Sequence, residues 1–190
     1  DDNSNYGTAI VGTVSGTSIS FGTQVVFESG STKYTSCAYD ANAQKVVIAY
    51  SDSSNSSYGT AVVGTVSGTS ISFGTPVTFN SSSSTFYTSC AYDASAQKVI
   101  ISYRGPGSDG FAIVGTVSGT SITFGSAVEF ETGNTNYTSA VYDASSQKIV
   151  IAYQDAGTGG YGTAIIGTVS GTSISFGSLV VFNAGNTVDI

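Results

Sequence analysis

The chain has 190 residues, of which 40% are hydrophobic and only 9% charged, with a formal net charge of −7 and no histidine. Five basic residues in total argue against nucleic-acid binding, because contacts to phosphates need clustered Lys and Arg. No apolar run approaches the roughly 20 residues of a membrane-spanning helix, so membrane insertion is not expected either.

One hairpin sequence recurs four times along the chain, as GTVSGTSISFG or a close variant, with a period of about 52 residues. A second hairpin sequence, YTSCAYDANAQKVVIAY from Tyr34, alternates with it and recurs from Tyr87 and Tyr137. Ser-Gly and Asp-Ala mark the turns of the two hairpins. Two hairpins predict a repeat unit of four strands.

These units predict one array with a half repeat at residues 1–33 and full repeats at 34–86, 87–136 and 137–190. With the strands of a repeat labelled A to D, the half repeat contains only C and D. We therefore expect the chain to be a piece of a longer array, or to gain the missing strands by association.

Strands A, B, C and D are predicted in the first full repeat at residues 34–39, 45–50, 59–66 and 70–79. Strands B and C are almost continuously apolar, which is typical of strands buried on both faces. Strand D alternates and contains Pro76, which favours an outer edge, with strand A innermost. The pattern predicts an all-β protein of four-stranded antiparallel units, most typical of β-propeller blades. A β-solenoid and a repeated β-sandwich fibre are the alternatives.

The D-to-A and B-to-C connections differ in every repeat, whereas the A-to-B and C-to-D turns hardly change. In an up-and-down unit the two variable connections lie on the same face, so we expect a ligand to bind there. Aromatic candidates beside these connections are Tyr34, Phe86, Tyr87 and Tyr137, for which core packing is the alternative role. Polar candidates are Asp52, Arg104, Asp109, Asn136 and Asp155.

Three aspartates that recur in the A-to-B turn are predicted to accept hydrogen bonds from the turn's own amides: Asp40, Asp93 and Asp143. Cys37 and Cys90 occupy equivalent positions and are predicted to be free buried thiols, since equivalent strand positions in neighbouring units usually lie too far apart to bridge.

No metal, cofactor or catalytic residue is predicted. The variable connections lack the ordered oxygen ligands of an EF-hand calcium loop. Without histidine the chain offers no nucleophile triad. The weak enzymatic alternative is a glycoside hydrolase with a carboxylate pair drawn from Glu28, Asp52, Asp109, Glu129, Glu131 and Asp155.

The recurring GTVSGTSISFG followed by YTSxxYDAxxQKVVIAY resembles the repetitive propeller-type arrays of marine phage tail-fibre or virion-surface proteins and related secreted bacterial proteins. The resemblance covers nearly the whole chain. It implies exposure on a virion or cell surface or outside the cell, assembly, and attachment to a host or glycan, with no site residue to carry over. The Asp box of sialidase propellers is missing, and there is no tryptophan.

From the resemblance and the residues together we expect a non-catalytic module for binding or adhesion. Its expected partner is a surface glycan or an extracellular protein. A purely structural repeat in a fibre or coat is the alternative.

Overall fold

A computed structural model describes residues 5–188 of the chain, so the predictions for residues 1–4 and 189–190 lie outside the described part. Strands make up 67% of the structure and helix only 3%, which confirms the all-β prediction. The helical residues form two single 3-10 turns, Pro106–Ser108 and Ala156–Thr158, each within a B-to-C connection.

Between residues 5 and 188, eighteen strands follow the predicted order. The half repeat contains β1 (Tyr6–Ala9), β2 (Gly12–Ser15), β3 (Ser18–Phe21) and the start of β4 (Val25–Asp40), whose second half is strand A of the next repeat. That repeat, sheet 1, continues with β5 (Lys45–Asp52), β6 (Tyr58–Ser67), β7 (Ser70–Phe73) and β8 (Val77–Asn80).

Sheet 2 consists of β9 (Phe86–Asp93), β10 (Lys98–Arg104), β11 (Gly110–Ser118), β12 (Ser121–Phe124) and β13 (Val128–Glu131). Sheet 3 consists of β14 (Thr135–Asp143), β15 (Lys148–Asp155), β16 (Tyr161–Ser170), β17 (Ser173–Phe176) and β18 (Val180–Asn186).

All pairings within these sheets are antiparallel, in the order A, B, C, D. Strand D lies at one edge, as its alternation predicted, and pairs only with strand C. It is not the single strand predicted at residues 70–79, however. It breaks into β7 and β8, which pair with opposite halves of β6. Between them the backbone amide of Gly74 donates to Val63 O at 2.9 Å. The same bond at Gly125 and Gly177, whose repeats lack the proline, shows that the break does not depend on Pro76.

The core lies between successive sheets. Val47 and Val63 of sheet 1 pack against Val99, Ile101 and Tyr103 of sheet 2, and all five side chains are at most 1% exposed. The opposite face of sheet 2 packs in the same way against sheet 3. The middle strands of sheet 2 are thus covered on both faces, which explains their continuously apolar sequence.

Successive sheets also meet at two further contacts that recur from repeat to repeat. The strands A lie side by side: the Cys90 amide donates to Ser36 Oγ, and the Ala140 amide to Ser89 Oγ, each at 3.0 Å. Near the other edge, three glycines face the C-to-D turn of the following sheet so closely that a Cβ would collide with a threonine carbonyl: Gly22 with Thr69, Gly74 with Thr120, and Gly125 with Thr172. Each interface therefore reuses the same contacts.

The predicted role of the turn aspartates is confirmed. Asp93 Oδ1 accepts the amides of Ser95 and Ala96 at 2.9 Å, and Asp40 and Asp143 accept equivalent bonds. The two cysteines are free, but the prediction that both are buried is wrong for Cys37, which is exposed. None of the described residues covers the face of β4 on which Cys37 lies, whereas sheet 1 covers the equivalent Cys90.

Candidate functional site

The two variable connections of each repeat lie together and are joined by backbone hydrogen bonds. Thr85, at the end of one D-to-A connection, donates its amide to Ser57 O in a B-to-C connection at 2.8 Å. Thr187 donates in the same way to Gly160 O at 2.8 Å, and in the opposite direction the Ala156 amide donates to Asn134 O in the preceding D-to-A connection at 2.8 Å. We call the edge formed by these connections and the adjoining ends of strands A and B the variable rim.

A ladder of tyrosines crosses the variable rim from sheet to sheet. The ring centroids of Tyr34 and Tyr87 are 5.1 Å apart, and those of Tyr87 and Tyr137 are 4.9 Å apart. These are normal distances for attractive aromatic pairs. Phe86 extends the ladder, with its ring 5.7 Å from that of Tyr34. The four rings are partly exposed, so they combine packing between repeats with access to solvent.

Each ladder tyrosine has a left-handed backbone, with φ of 51° at Tyr34, 50° at Tyr87 and 50° at Tyr137. The cause is a β-bulge: between Ser102 and Arg104 the register with strand A shifts by one extra residue, and the other repeats shift likewise. A left-handed conformation costs a non-glycine residue about 1–2 kcal/mol. The bulge turns the ring out of the alternation of strand A and toward the neighbouring tyrosine.

Arg104, the single arginine of the chain, lies against this ladder. Its guanidinium carbon is 4.5 Å from the ring centroid of Phe86 and 5.4 Å from that of Tyr87, within cation–π range. Arg104 also donates from Nη1 to Asn136 Oδ1 at 2.6 Å, whereas its buried Nε has no partner among the residues that the structure describes. The arginine thus joins the aromatic rings of sheet 2 to the amide of sheet 3.

A chain of side-chain amides continues from Arg104 across sheet 3. Asn136 Nδ2 donates to Gln154 Oε1 at 2.9 Å, and Gln154 Nε2 donates to Asn186 Oδ1 at 3.0 Å. Sequence reasoning missed Gln154, Asn186 and also Asn134, whose Oδ1 lies 3.4 Å from Arg104 Nη1. A signal was present, since these residues occupy or adjoin the positions at which the repeats differ.

The variation between repeats includes one cross-strand pair next to each ladder tyrosine. This pair joins the residue before the tyrosine in strand A to its partner in strand B. The pairs are Lys33 with Ser51, Phe86 with Arg104, and Asn136 with Gln154. The neighbouring tyrosines recur in all three repeats, so each repeat presents a different pair of side chains beside the same aromatic ring.

The structure brings six of the nine candidate residues into one cluster: Tyr34, Phe86, Tyr87, Arg104, Asn136 and Tyr137. The aspartates have local roles in the connections. Asp52 Oδ1 accepts the amide of Ser54 at 3.0 Å, Asp155 Oδ1 accepts that of Thr158 at 3.2 Å, and Asp109 Oδ1 accepts that of Gly133 at 2.7 Å.

Among the carboxylates considered for hydrolysis, Glu131 is buried and accepts a hydrogen bond from Tyr153 Oη at 2.7 Å. Burial raises the pKa of Glu131, and the same burial together with the glutamate raises the pKa of Tyr153. Glu28 accepts an equivalent bond from Tyr50 at 3.3 Å. The contact recurs from strand D of one repeat to strand B of the next, so it fastens successive sheets to each other.

Within residues 5–188 no group of three or more His, Cys, Asp or Glu side chains is placed to hold a metal ion. The helices described here are all too short to cross a membrane. The chain matches no protein-family model, no curated protein and no solved structure.

Proposed function

We propose that this chain is a non-catalytic binding module of β-propeller type, which binds a glycan on the variable rim, outside the cell or on a virion or cell surface. The observation that carries the proposal is the partly exposed tyrosine ladder with Arg104 stacked upon it. Three bulges hold partly exposed tyrosines of the variable rim in a left-handed conformation, and backbone strain of this kind is found at binding sites.

The propeller arrangement is supported by how the sheets meet. Strands A of neighbouring sheets are joined by hydrogen bonds, while strands D lie at the opposite edges, as expected of blades placed around an axis. A sandwich consists of two sheets with one shared core, whereas here sheet 2 has a core on each face.

A sugar suits the chemistry of this surface. Its apolar ring face would lie on Phe86 and Tyr87, and its hydroxyls would bond to amides such as that of Asn134. Binding sites of this kind combine aromatic faces with a few placed polar groups. The differing cross-strand pairs would give each repeat its own preference.

The test is a glycan array followed by titration of the glycans that bind. We expect Phe86→Ala to weaken binding at least ~10-fold, the loss of about 1.4 kcal/mol of contact energy. Tyr39→Ala is the matched control, because Tyr39 is 56% exposed and lies at the end of strand A next to the constant turn. Absence of glycan binding by the folded chain, or an equal loss in both variants, would contradict the proposal.

A structural repeat in a fibre or coat is the second candidate. The observation that favours it is the apolar surface at both ends of the stack, where Val14 is 72% exposed and Val141 is 60% exposed. Such surfaces mark contacts between proteins. Filaments formed by a chain that binds no glycan would support this candidate instead.

A further inference from the structure

The half repeat has an open strand edge. In sheet 1, strand C (β6) is paired with strand D on one side and with strand B (β5) on the other. The β5–β6 pairing extends from Val46 opposite Gly64 to Asp52 opposite Tyr58. The equivalent strand of the half repeat, residues 6–12, pairs with strand D on one side. None of the described residues pairs with its other side.

The open edge has a visible effect on the strand. In sheet 1, β6 is continuous over ten residues. In the half repeat the same stretch is divided into β1 and β2, and Ile10 and Val11 between them belong to neither strand. Ile10 is 48% exposed, whereas the equivalent Val62 is fully buried. The backbone and side chain of this segment therefore lack the neighbour for which the sequence is suited.

Beside this edge is a cleft of about 520 Å³, bounded by β1 on one side and by Tyr34–Cys37 and Ile48 on the other. Its second wall contains the equivalents of two hydrogen-bond donors that sheet 2 directs at sheet 1. In sheet 2, Thr88 Oγ1 donates to the carbonyl of Tyr34, and the Cys90 amide donates to Ser36 Oγ. Thr35 and Cys37 are the equivalent residues in the cleft wall. They present the same two donors to a strand A that would lie in the cleft.

We propose that this cleft binds a β-hairpin with the A–B sequence of the protein's own repeat. Strand B of the hairpin would pair with residues 6–12, and strand A would lie beside β4. The β-branched residues of strand B would cover Ile48, as Val47 of sheet 1 covers Ile101 of sheet 2. Addition of strands to an open edge is an established mode of recognition, with affinity from the main chain and specificity from alternate side chains.

An A–B hairpin is favoured over an unrelated strand because it meets the requirements of both the open edge and the cleft wall. The open edge requires the register that β5 adopts on β6, and the cleft wall requires a serine hydroxyl and a carbonyl at the spacing of Ser36 and Tyr34. Only the YTS segment followed by the Asp turn and the apolar strand places all of these together. The inference depends on strand pairing and is independent of glycan binding.

The test is titration of the full chain with a labelled peptide of residues 137–153, YTSAVYDASSQKIVIAY, which lacks cysteine. We expect saturable one-to-one binding and slowed hydrogen exchange at the amides of residues 6–12. Ile10→Asp should weaken binding at least ~10-fold, because the carboxylate would be buried unpaired. Val141→Asp is the matched control on the opposite end of the stack, and it should leave binding unchanged.

Absence of binding, or loss of binding in Val141→Asp but not in Ile10→Asp, would overturn the proposal. Where the peptide aggregates, the hairpin is joined to the chain instead, with residues 137–160 placed directly before residue 6. This extended chain should unfold at a higher temperature than the original, and Ile10→Asp should remove the gain. An extension that gives no gain, or a gain that survives Ile10→Asp, would equally overturn it. Neither result depends on glycan binding, so the two proposals fail separately.

Discussion

The half repeat and sheet 2 contain nearly the same C–D hairpin in different surroundings. Residues 12–21 read GTVSGTSISF, and residues 115–124 read GTVSGTSITF. Ile122 of sheet 2 is 1% exposed, because sheet 1 covers it, whereas the equivalent Ile19 is 54% exposed. Burial in this protein is thus determined by the neighbouring repeat and not by the local sequence, as expected of stacked repeat proteins.

The largest contrast is expected between Ile122→Ala and Ile19→Ala. Removing a fully buried isoleucine side chain costs about 4 kcal/mol through lost burial and the cavity that remains, whereas Ile19→Ala should cost less than about 1 kcal/mol. Urea unfolding of the two variants measures the difference. Equal losses would mean that Ile19 is also covered, and would break the comparison.

A similar contrast is expected between Gly125→Ala and Gly177→Ala. A Cβ at Gly125 collides with the carbonyl of Thr172, whereas at Gly177 the nearest atom is Ile166 O at 3.9 Å. We expect Gly125→Ala to cost about 2–3 kcal/mol through overpacking against backbone. Gly177→Ala should change stability by less than about 0.5 kcal/mol. Thermal unfolding distinguishes them, and an equally destabilised Gly177→Ala would show that another segment lies against sheet 3.

The turn aspartates extend the comparison to polar groups. Asp93 is 2% exposed and accepts two amides in a partly buried turn, so Asp93→Ala should cost about 1–2 kcal/mol through the lost hydrogen bonds. Asp143 accepts the equivalent amide in an exposed turn, where water replaces the lost acceptor. Asp143→Ala should therefore be the milder variant in urea unfolding. The reverse order would contradict the account of the turns.

The smallest effect is expected from pH. Burial raises the pKa of Glu131, so its charge is disfavoured in the folded state. The shift therefore adds to the free energy of unfolding at low pH. This addition is complete below the ordinary glutamate pKa and is lost as the pH rises through the raised pKa. Glu131→Gln should thus flatten the fall in unfolding free energy across this range. Glu129→Gln, on the exposed face of the same strand, is the control and should follow the original curve.

The sequence allowed the strands, their order and the turn aspartates to be predicted, because alternation, Ser-Gly turns and the spacing of Asp from its amides are local signals. The surroundings of each repeat could not be predicted from such local signals. Cys37 and Cys90 share the segment YTSCAYD, yet only Cys90 is buried. No local rule distinguishes them, because the difference lies in which sheet precedes them.

The candidate surface was predicted in part for the same reason. Phe86, Arg104 and the tyrosines were recognisable from variable connections and recurring aromatics. Gln154 lies at a position where the repeats differ but was missed, because its role appears only when Asn136 and Asn186 are seen beside it. The left-handed tyrosines were also not predictable, since a bulge depends on how two strands register and not on either sequence alone.

The most direct test of the central claim is amide hydrogen exchange followed by NMR. Residues 12–21 and 64–73 have the identical sequence GTVSGTSISF, so their intrinsic exchange rates are closely matched and any difference reports their surroundings. We predict that the strand-paired amides of residues 64–73 are protected by the neighbouring repeat, while their equivalents in residues 12–21 exchange through local opening at least ~100-fold faster. Equal protection of the two segments would contradict the claim that neighbouring repeats, and not the hairpin itself, stabilise this fold.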